Sequence, residues 1–551
     1  GNAGNVTIEA SDAVVLDRGD SELFTGVASQ VGTGAEGNGG DVTITTGSLE
    51  VKNGASISAS TFAQGDAGTV NINATDTIVL DGVESEFVNG VSNQVEPGAE
   101  GNAGGITITT SSLEVKNRAS ISADTFAQGN AESVNITTDS LEVKNGATIS
   151  ASTFAQGDAG TVNINATETV VLDRGDSEFF TGVSSQVDSG EGNAGGITIA
   201  TGSLEVKNGA AISASTFAKG DAGTVDINAT KTVVLDGGDS EFFTGVASKV
   251  DKGAEGNGGS VTITTGALEI RNGAEITAST RGQGDAGTVT IEASETVVLD
   301  QGDSEFLTGV ASTVGTGAQG NGGSINITTG SLEVKNGAQI NSVTFAKGDG
   351  GTVEINATET VVIDGGGGDL EFGTGVASSV EEGAEGKGGD IIITTRSLEV
   401  KNVAGINADT SAKGDAGTVK INATETVVLD GGNSEVVTEV SSSLRPGAEG
   451  TAGGVTITTG SLEVKNGAGI NANTLPESTG DGGDISIDST KVTLSDGSAI
   501  AVSSEGQGNG GNIFLSAGDI FLDRASEVSA VTASGQGGNM TFNIANLFSL
   551  R

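Results

Sequence analysis

GTVNINATETVVLDRGDSEFFTGVSSQVDSGEGNAGGITIATGSLEVKNGAAISASTFAKGDAG, residues 160–223, holds the unit from which most of the chain is built. It divides into a long half opening at Val162 and a short half opening at Ile197. Each half strings together brief apolar runs separated by Gly, Asn, Asp and Ser. In the short unit Val42–Thr69, VTITT puts Val42 and Ile44 on one face and Thr43 and Thr45 on the other. LEVKNG repeats the alternation with Leu49 and Val51, and ASISAS with Ile57. Helical spacing of apolar residues is nowhere sustained, and the Gly and β-branched content disfavours helices. Three strands per unit, bounded by turn residues, predict a triangular coil.

Units open at Val6, Val42, Val70, Ile106, Val134, Val162, Ile197, Val225, Val261, Val289, Ile325, Val353, Ile391, Val419, Val455, Ile485, Ile513 and Met540. The spacing alternates near 36 and 28 residues, except that the units opening at Ile106 and Val134 are both short. A length of 551 residues normally suggests several domains, but repeated units need to bury themselves only against their neighbours. The expectation is an all-β solenoid of about 18 coils, near 85 Å long at roughly 4.8 Å per coil. Residues 1–481 alternate long and short coils. Residues 482–551 continue with short coils alone, and Phe514, Phe521 and Phe542 enter strand positions there. The chain opens in mid-repeat and closes part-way round a coil, as expected for a segment of a longer protein or for one that stacks end to end.

Composition excludes several function classes. The 72 acidic residues outnumber the 25 basic ones for a net charge of −47, which repels nucleic acid and anionic lipid and favours cations. No apolar run approaches a membrane span. With no His and no Cys the usual acid–base and thiol groups are missing. Carbohydrate-cleaving β-helices concentrate irregular residues at one level, whereas every carboxylate motif here recurs from coil to coil, so no enzyme is expected. Outward Thr pairs such as Thr43 and Thr45 are interrupted by Asn71 and Asn73, which removes the uniform array that ice binding needs.

Stacking the units predicts two ladders. Lys52 falls beside Asp17 and Asp81, and the alternation continues through Lys207, Asp236, Arg271, Asp300, Lys335, Asp364, Lys401, Asp430 and Lys465, an edge of opposite charges. Lys116 and Lys144 adjoin as like charges, with Glu114 and Glu142 nearby. Asn53, Asn117, Asn145, Asn208, Asn272, Asn336, Asn402 and Asn466 form a structural ladder at the corner after the second strand. Asn tolerates the left-handed backbone of a sharp corner, and stacked Asn side chains can bond along the axis.

Long units carry about eight extra residues, which alignment places after the second strand. The insertion therefore projects from one corner of every second coil. Its motif reads DSELFTG, DSEFFTG or DSEFLTG. Phe24, Phe87, Phe179, Phe180, Phe242, Phe243, Phe306 and Phe372 would line up along that edge as a binding surface, or one ring of each pair would fold back to seal the insertion. The rings of the STFAQGDAG turns, such as Phe126 and Phe154, read as structural. The carboxylates Asp17, Asp20, Glu22, Asp173, Asp176, Glu178, Asp236, Asp239, Glu241, Asp300, Asp303 and Glu305 are an oxygen-rich candidate set for Ca²⁺, the alternative being a solvated acidic corner that balances the Lys row. RGD at Arg18–Asp20 and Arg174–Asp176 resembles the integrin-binding tripeptide, but sibling loops read GGD or QGD, so repeat drift accounts for it.

The short unit GGxITITTGSLEVKNGAxISASTFAQGDAGTV and the closing GQGNGGNIFLSAGDIFLDRASEVSAVTASGQGGNMTF resemble the repeat region of filamentous haemagglutinin-like exoproteins of the two-partner secretion type, especially the large cyanobacterial ones. The resemblance covers essentially the whole chain. It implies a right-handed parallel β-helix, export through an outer-membrane β-barrel transporter, and an extracellular, cell-surface location. The expected role is an adhesin or fibre segment whose partner is a cell-surface glycan or protein. The alternative is a self-assembling filament or surface layer whose acidic faces hold cations.

Overall fold

The computed structural model describes residues 1–21, 23–82, 89–367, 373–434 and 436–550. Among the described residues every regular element is a β-strand, and no helix is long and apolar enough to cross a membrane. The chain divides into two compact units, Gly1–Gly266 with Ala274–Ile276, and Ala267–Gly273 with Thr277–Arg551. The change to short coils alone at residue 482 falls inside the second.

Both units are parallel β-helices. In the first, Val6 pairs with Val42, Val42 with Val70, and so on through Ile106, Val134, Val162, Ile197 and Val225, all parallel. In the second the series runs from Val289 through Ile325, Val353, Ile391, Val419, Val455, Ile485 and Ile513 to Met540. These are the unit openings read from the sequence. A short strand on another face repeats the stacking, with Ile121 on Ile149, Ile149 on Val183, and Val183 on Ile212.

The coil differs from the expected triangle in one respect. In most coils the first two strands run on as one, for example Val134–Lys144 and Val162–Asp173. The long coil carries one extra residue at the bend, so pairing slips between Thr138 and Ser140. The remaining side is closed by isolated parallel bridges such as Thr125 to Thr153, Thr153 to Val187 and Val187 to Thr216. The extra residues of a long coil are accordingly spread. Most lie in 174–181, between Asp173 and Gly182, but one sits in the long strand and others follow the short strand.

Apolar side chains of the long and short strands fill each interior. Val42, Ile44, Leu49, Val51, Ile57 and Ala59 of one coil are at most 1% exposed. Each Val, Leu or Ile contributes about 1.5–3 kcal/mol, an upper estimate because unfolded chains are already partly compact. Where coils touch backbone to backbone only Gly fits. A Cβ on Gly192 would lie 1.9 Å from the Gly157 carbonyl oxygen, and one on Gly157 would lie 2.0 Å from that of Gly129.

A further ladder tracks that corner. The Asn193 N–H donates to Asp158 Oδ1 at 2.7 Å, Asp221 N–H to Asn193 Oδ1 at 3.0 Å, and Asn257 N–H to Asp221 Oδ1 at 2.7 Å. The second unit repeats it from Asp285 through Asn321 and Asp349 to Lys387. Beside it, the Ser185 hydroxyl donates to the Gly160 carbonyl at 2.5 Å.

Candidate functional site: the loop edge

The insertion loops spring from the corner built by the Asn and Lys–Asp ladders. All eight predicted Asn residues are left-handed, with φ between 53° and 58°. Their side chains, however, do not chiefly bond one another. Nδ2 of Asn53, Asn117, Asn208, Asn336, Asn402 and Asn466 donates to Oδ1 of Asp17, Asp81, Asp173, Asp300, Asp364 and Asp430, at 2.7–2.9 Å. An Asn-to-Asn bond, Asn145 to Asn117 at 3.2 Å, forms where two short coils adjoin and no Asp is available on that side. Seven of them, Asn53 through Asn402, also bond forward through the backbone, as Asn208 N–H does to the Asp236 carbonyl at 3.0 Å.

The charge row lies in the predicted register, with Lys52 between Asp17 and Asp81 and Lys207 between Asp173 and Asp236. Lysine Nζ stands 3.6–3.9 Å from Oδ2 of the preceding Asp in six coils. The nearer partner is the Glu two residues earlier on the same strand, 2.8 Å for Lys116–Glu114 and 2.6 Å for Lys144–Glu142. That pair separates charge where Lys116 and Lys144 adjoin. The hydrogen bond from Asn53, then that from Gly19, with help from Lys52, holds the Asp17 carboxyl below its usual range. At Asp430 burial opposes ionisation, but the bonds from Asn466 and Gly432 and the Lys465 charge outweigh it, and the shift is again downward. Glu50 chiefly holds the Lys52 ammonium up.

The loop itself is tied at both ends. Asp173 Oδ1 accepts from Gly175 N–H at 2.9 Å, closing the first turn, and Ser177 Oγ accepts from Phe179 N–H at 3.2 Å. Arg174 is buried, its Nε donating to the Phe179 carbonyl at 3.2 Å, so the RGD arginine braces the loop from inside. In the sibling loop Gln301 donates to the carbonyls of Ser304 and Phe306, both at 2.9 Å. At the far end the Thr of FTG reaches the preceding coil. Thr181, Thr244, Thr308 and Thr374 accept from the N–H of Gly146, Gly209, Gly273 and Gly337 at 2.6–2.7 Å. Neither the Ser nor the Thr was singled out from the sequence, although their recurrence in every clear copy of the motif was a signal.

The aromatic edge is exposed. Phe24, Phe179, Phe180, Phe242 and Phe306 are 43–54% exposed, while Phe243 is half-buried beneath Lys249, whose Nζ is 4.9 Å from the ring centre. Folding back thus holds for Phe243 but for neither Phe179 nor Phe180. Arg118 and Arg174 lie over the rings of Phe179 and Phe242, at 3.9 Å and 3.4 Å. The STFAQGDAG rings are only partly enclosed, Phe62 and Phe126 being half-buried. Phe154, Phe217 and Phe345 are exposed too, and Phe154 stacks on Phe126 at 4.7 Å. Phe87, Phe372 and Glu22 lie outside the described residues.

The candidate Ca²⁺ set splits in two. Asp17, Asp173, Asp236 and Asp300 each close an Asx turn with the Gly two residues on. Asp17, Asp173 and Asp300 are further engaged by Asn and Lys. Asp20, Asp176, Glu178, Asp239, Glu241, Asp303 and Glu305 face solvent. Among the described residues no three carboxylates gather around a point.

Two buried carboxylates replace the Ser found at Ser60 and Ser152. Asp124 accepts from Ser122 Oγ, Ser150 Oγ and Ser152 N–H at 2.5–2.7 Å, and burial raises its pKa. Burial also raises that of Asp409, against the attraction of Arg445, whose Nε is 2.8 Å away.

No protein-family model matches the chain, and no curated protein or solved structure matches it either. The resemblance to haemagglutinin-like exoproteins therefore rests on the repeat motifs quoted from the sequence.

Proposed function

We propose that the chain is a non-enzymatic, extracellular β-solenoid segment that mediates attachment or cell–cell contact, its insertion loops being the recognition edge. One observation carries this reading: the loops hold large aromatic rings half in solvent at equivalent positions of successive long coils, on backbones pinned by buried hydroxyl and amide contacts. Exposed Phe is unfavourable for a passive scaffold and useful to a surface that binds. Replacing residues 174–181, 237–243 and 301–308 by the Asn-Gly turn of the short coils tests it. Attachment to cells or glycan-coated surfaces is expected to disappear while circular dichroism stays unchanged. Undiminished attachment refutes it.

The second reading, a cation-bridged filament or surface layer, is favoured by the solvent-facing carboxylates in a chain of net charge −47. Lateral contact between such faces requires screening or bridging by divalent ions. Electron microscopy with and without Ca²⁺ separates the two, since Ca²⁺-dependent bundles belong to the filament and dispersed rods to the adhesin.

A further inference from the structure

In the first unit the loop edge has one irregular step. A single short coil normally lies between two insertion-bearing coils, as the coil opening at Ile197 does between loops 174–181 and 237–243. The coils opening at Ile106 and Val134 are both short and pair directly, Ile106 on Val134 and Ser112–Lys116 on Ser140–Lys144. Loop 174–181 therefore overlooks a shelf two coils, or about 9.6 Å, deep. Asn117, Arg118, Asn145, Asp176, Glu178 and Phe179 line the resulting cavity.

Arg118 is the anomaly on this shelf. It stands where sibling corners carry Gly54, Gly146 and Gly209, and it adopts φ +68° where those glycines lie between +81° and +87°. The left-handed region is disfavoured for a side chain of this kind. The guanidinium is held over the Phe179 ring, and its N–H groups meet no hydrogen-bond acceptor among the described residues. Arg174, at the root of the loop above, is by contrast buried and bonded.

A guanidinium fork is satisfied by a planar carboxylate, which it binds through two parallel hydrogen bonds. Asp176 and Glu178, exposed on the same cavity, are acceptors for hydroxyl groups and repel a multiply charged anion. Phe179 supplies an apolar surface. A polyhydroxylated ring carrying one carboxylate meets all three demands. We propose that this shelf binds a uronic-acid residue of an acidic glycan, its carboxylate on Arg118 and its hydroxyls on Asp176 and Glu178. This rests on the loop edge being a recognition surface and names the ligand class at one point of it.

The test is calorimetric titration of the intact chain with glucuronate- and galacturonate-containing oligosaccharides, set against the same oligosaccharides with the carboxylate reduced to an alcohol. The acidic form is expected to bind at least tenfold more tightly. Arg118→Gly, which restores the sibling residue and relieves the left-handed backbone, is expected to fold normally and to lose at least tenfold in affinity. Arg118→Lys, keeping charge without the fork, should lose several-fold. Equal binding of acidic and reduced forms, unchanged binding by Arg118→Gly, or no uronate binding at millimolar concentration overturns the proposal. Shortening only loops 237–243 and 301–308 keeps the two readings apart. Loss of cell attachment with titration intact supports both, attachment intact with titration lost sinks the shelf alone, and attachment unchanged with titration intact sinks the wider edge alone.

Discussion

Asn208 performs two separable tasks, and two substitutions divide them. Its backbone is left-handed at φ +56°, and its Nδ2 donates to Asp173 Oδ1 at 2.9 Å. Asn208→Gly removes the side-chain bond but keeps the backbone comfortable. A hydrogen bond to a charged group is worth about 1.5–3 kcal/mol, and partial solvent access at this corner brings that to about 1 kcal/mol. Asn208→Ala loses the same bond and forces an ordinary residue into the left-handed region, which costs about 1–2 kcal/mol more. Because stacked coils respond locally, a global melting curve blurs such a difference. Hydrogen exchange at the Asn208 and Gly209 amides reports it directly, since these donate to the Asp236 carbonyl at 3.0 Å and to Thr244 Oγ1 at 2.7 Å. At about 1.4 kcal/mol per factor of ten, Ala should speed exchange roughly 30- to 150-fold and Gly roughly fivefold. Equal effects from Ala and Gly would show that the left-handed corner is not what selects Asn, and no effect from either would remove the ladder as a source of stability.

Thr244→Val leaves the Gly209 amide facing a buried position without an acceptor, so local stability should fall by about 1–3 kcal/mol, read as faster Gly209 exchange, while Thr244→Ser retains protection. Asp124, whose folded pKa lies above its unfolded value, costs stability increasingly as pH rises through the ordinary aspartate range near 3.9. Asp124→Ser should therefore raise the melting temperature at pH 7, and the gain should vanish near pH 3. Asp430 has the opposite sign, contributing above about pH 3.9 and losing that contribution as pH falls through its lower folded value. The difference in urea midpoint between wild type and Asp430→Asn should accordingly be full at pH 6 and shrink on acidification below pH 3.9.

Coil openings, register and the charge row were all legible in the sequence, because a repeat converts one alignment into many independent checks of the same contacts. Lys52, Lys207 and Lys401 each sit opposite the Asp residues that the alignment assigned them. The partners of polar groups were less legible. The Asn residues share one left-handed corner, but their amides find Asp in the neighbouring coil, a choice fixed by side-chain reach across the corner rather than by residue type. Backbone acceptors and donors leave no mark on a one-dimensional pattern, so the roles of Thr181 and Thr244 emerge only when the Gly amides of the coil before come into view. The spread of the insertion was hidden for a related reason, since a single extra residue at a bend shifts register without disturbing the alternation on either side of it.

The way the loops are tied bears on how they would bind. Each is anchored to the coil before it through Thr and to the coil after it through Asp, as Thr181 is to Gly146 and Asp173 to Asn208. Loops 174–181 and 237–243 also touch across the intervening coil, where Arg174 lies over the Phe242 ring. Rings held in this manner have lost their freedom on folding, so a ligand spends little further entropy on ordering them. Within each unit the spacing is then set by the strands, about 9.6 Å where one short coil intervenes, and not by the loops themselves. A row of individually weak contacts at fixed intervals gains affinity by simultaneous engagement only if the partner repeats too. A polymeric partner therefore suits this edge better than a compact one, and shortening loops one at a time should lower attachment in multiplicative steps instead of abolishing it at a single position.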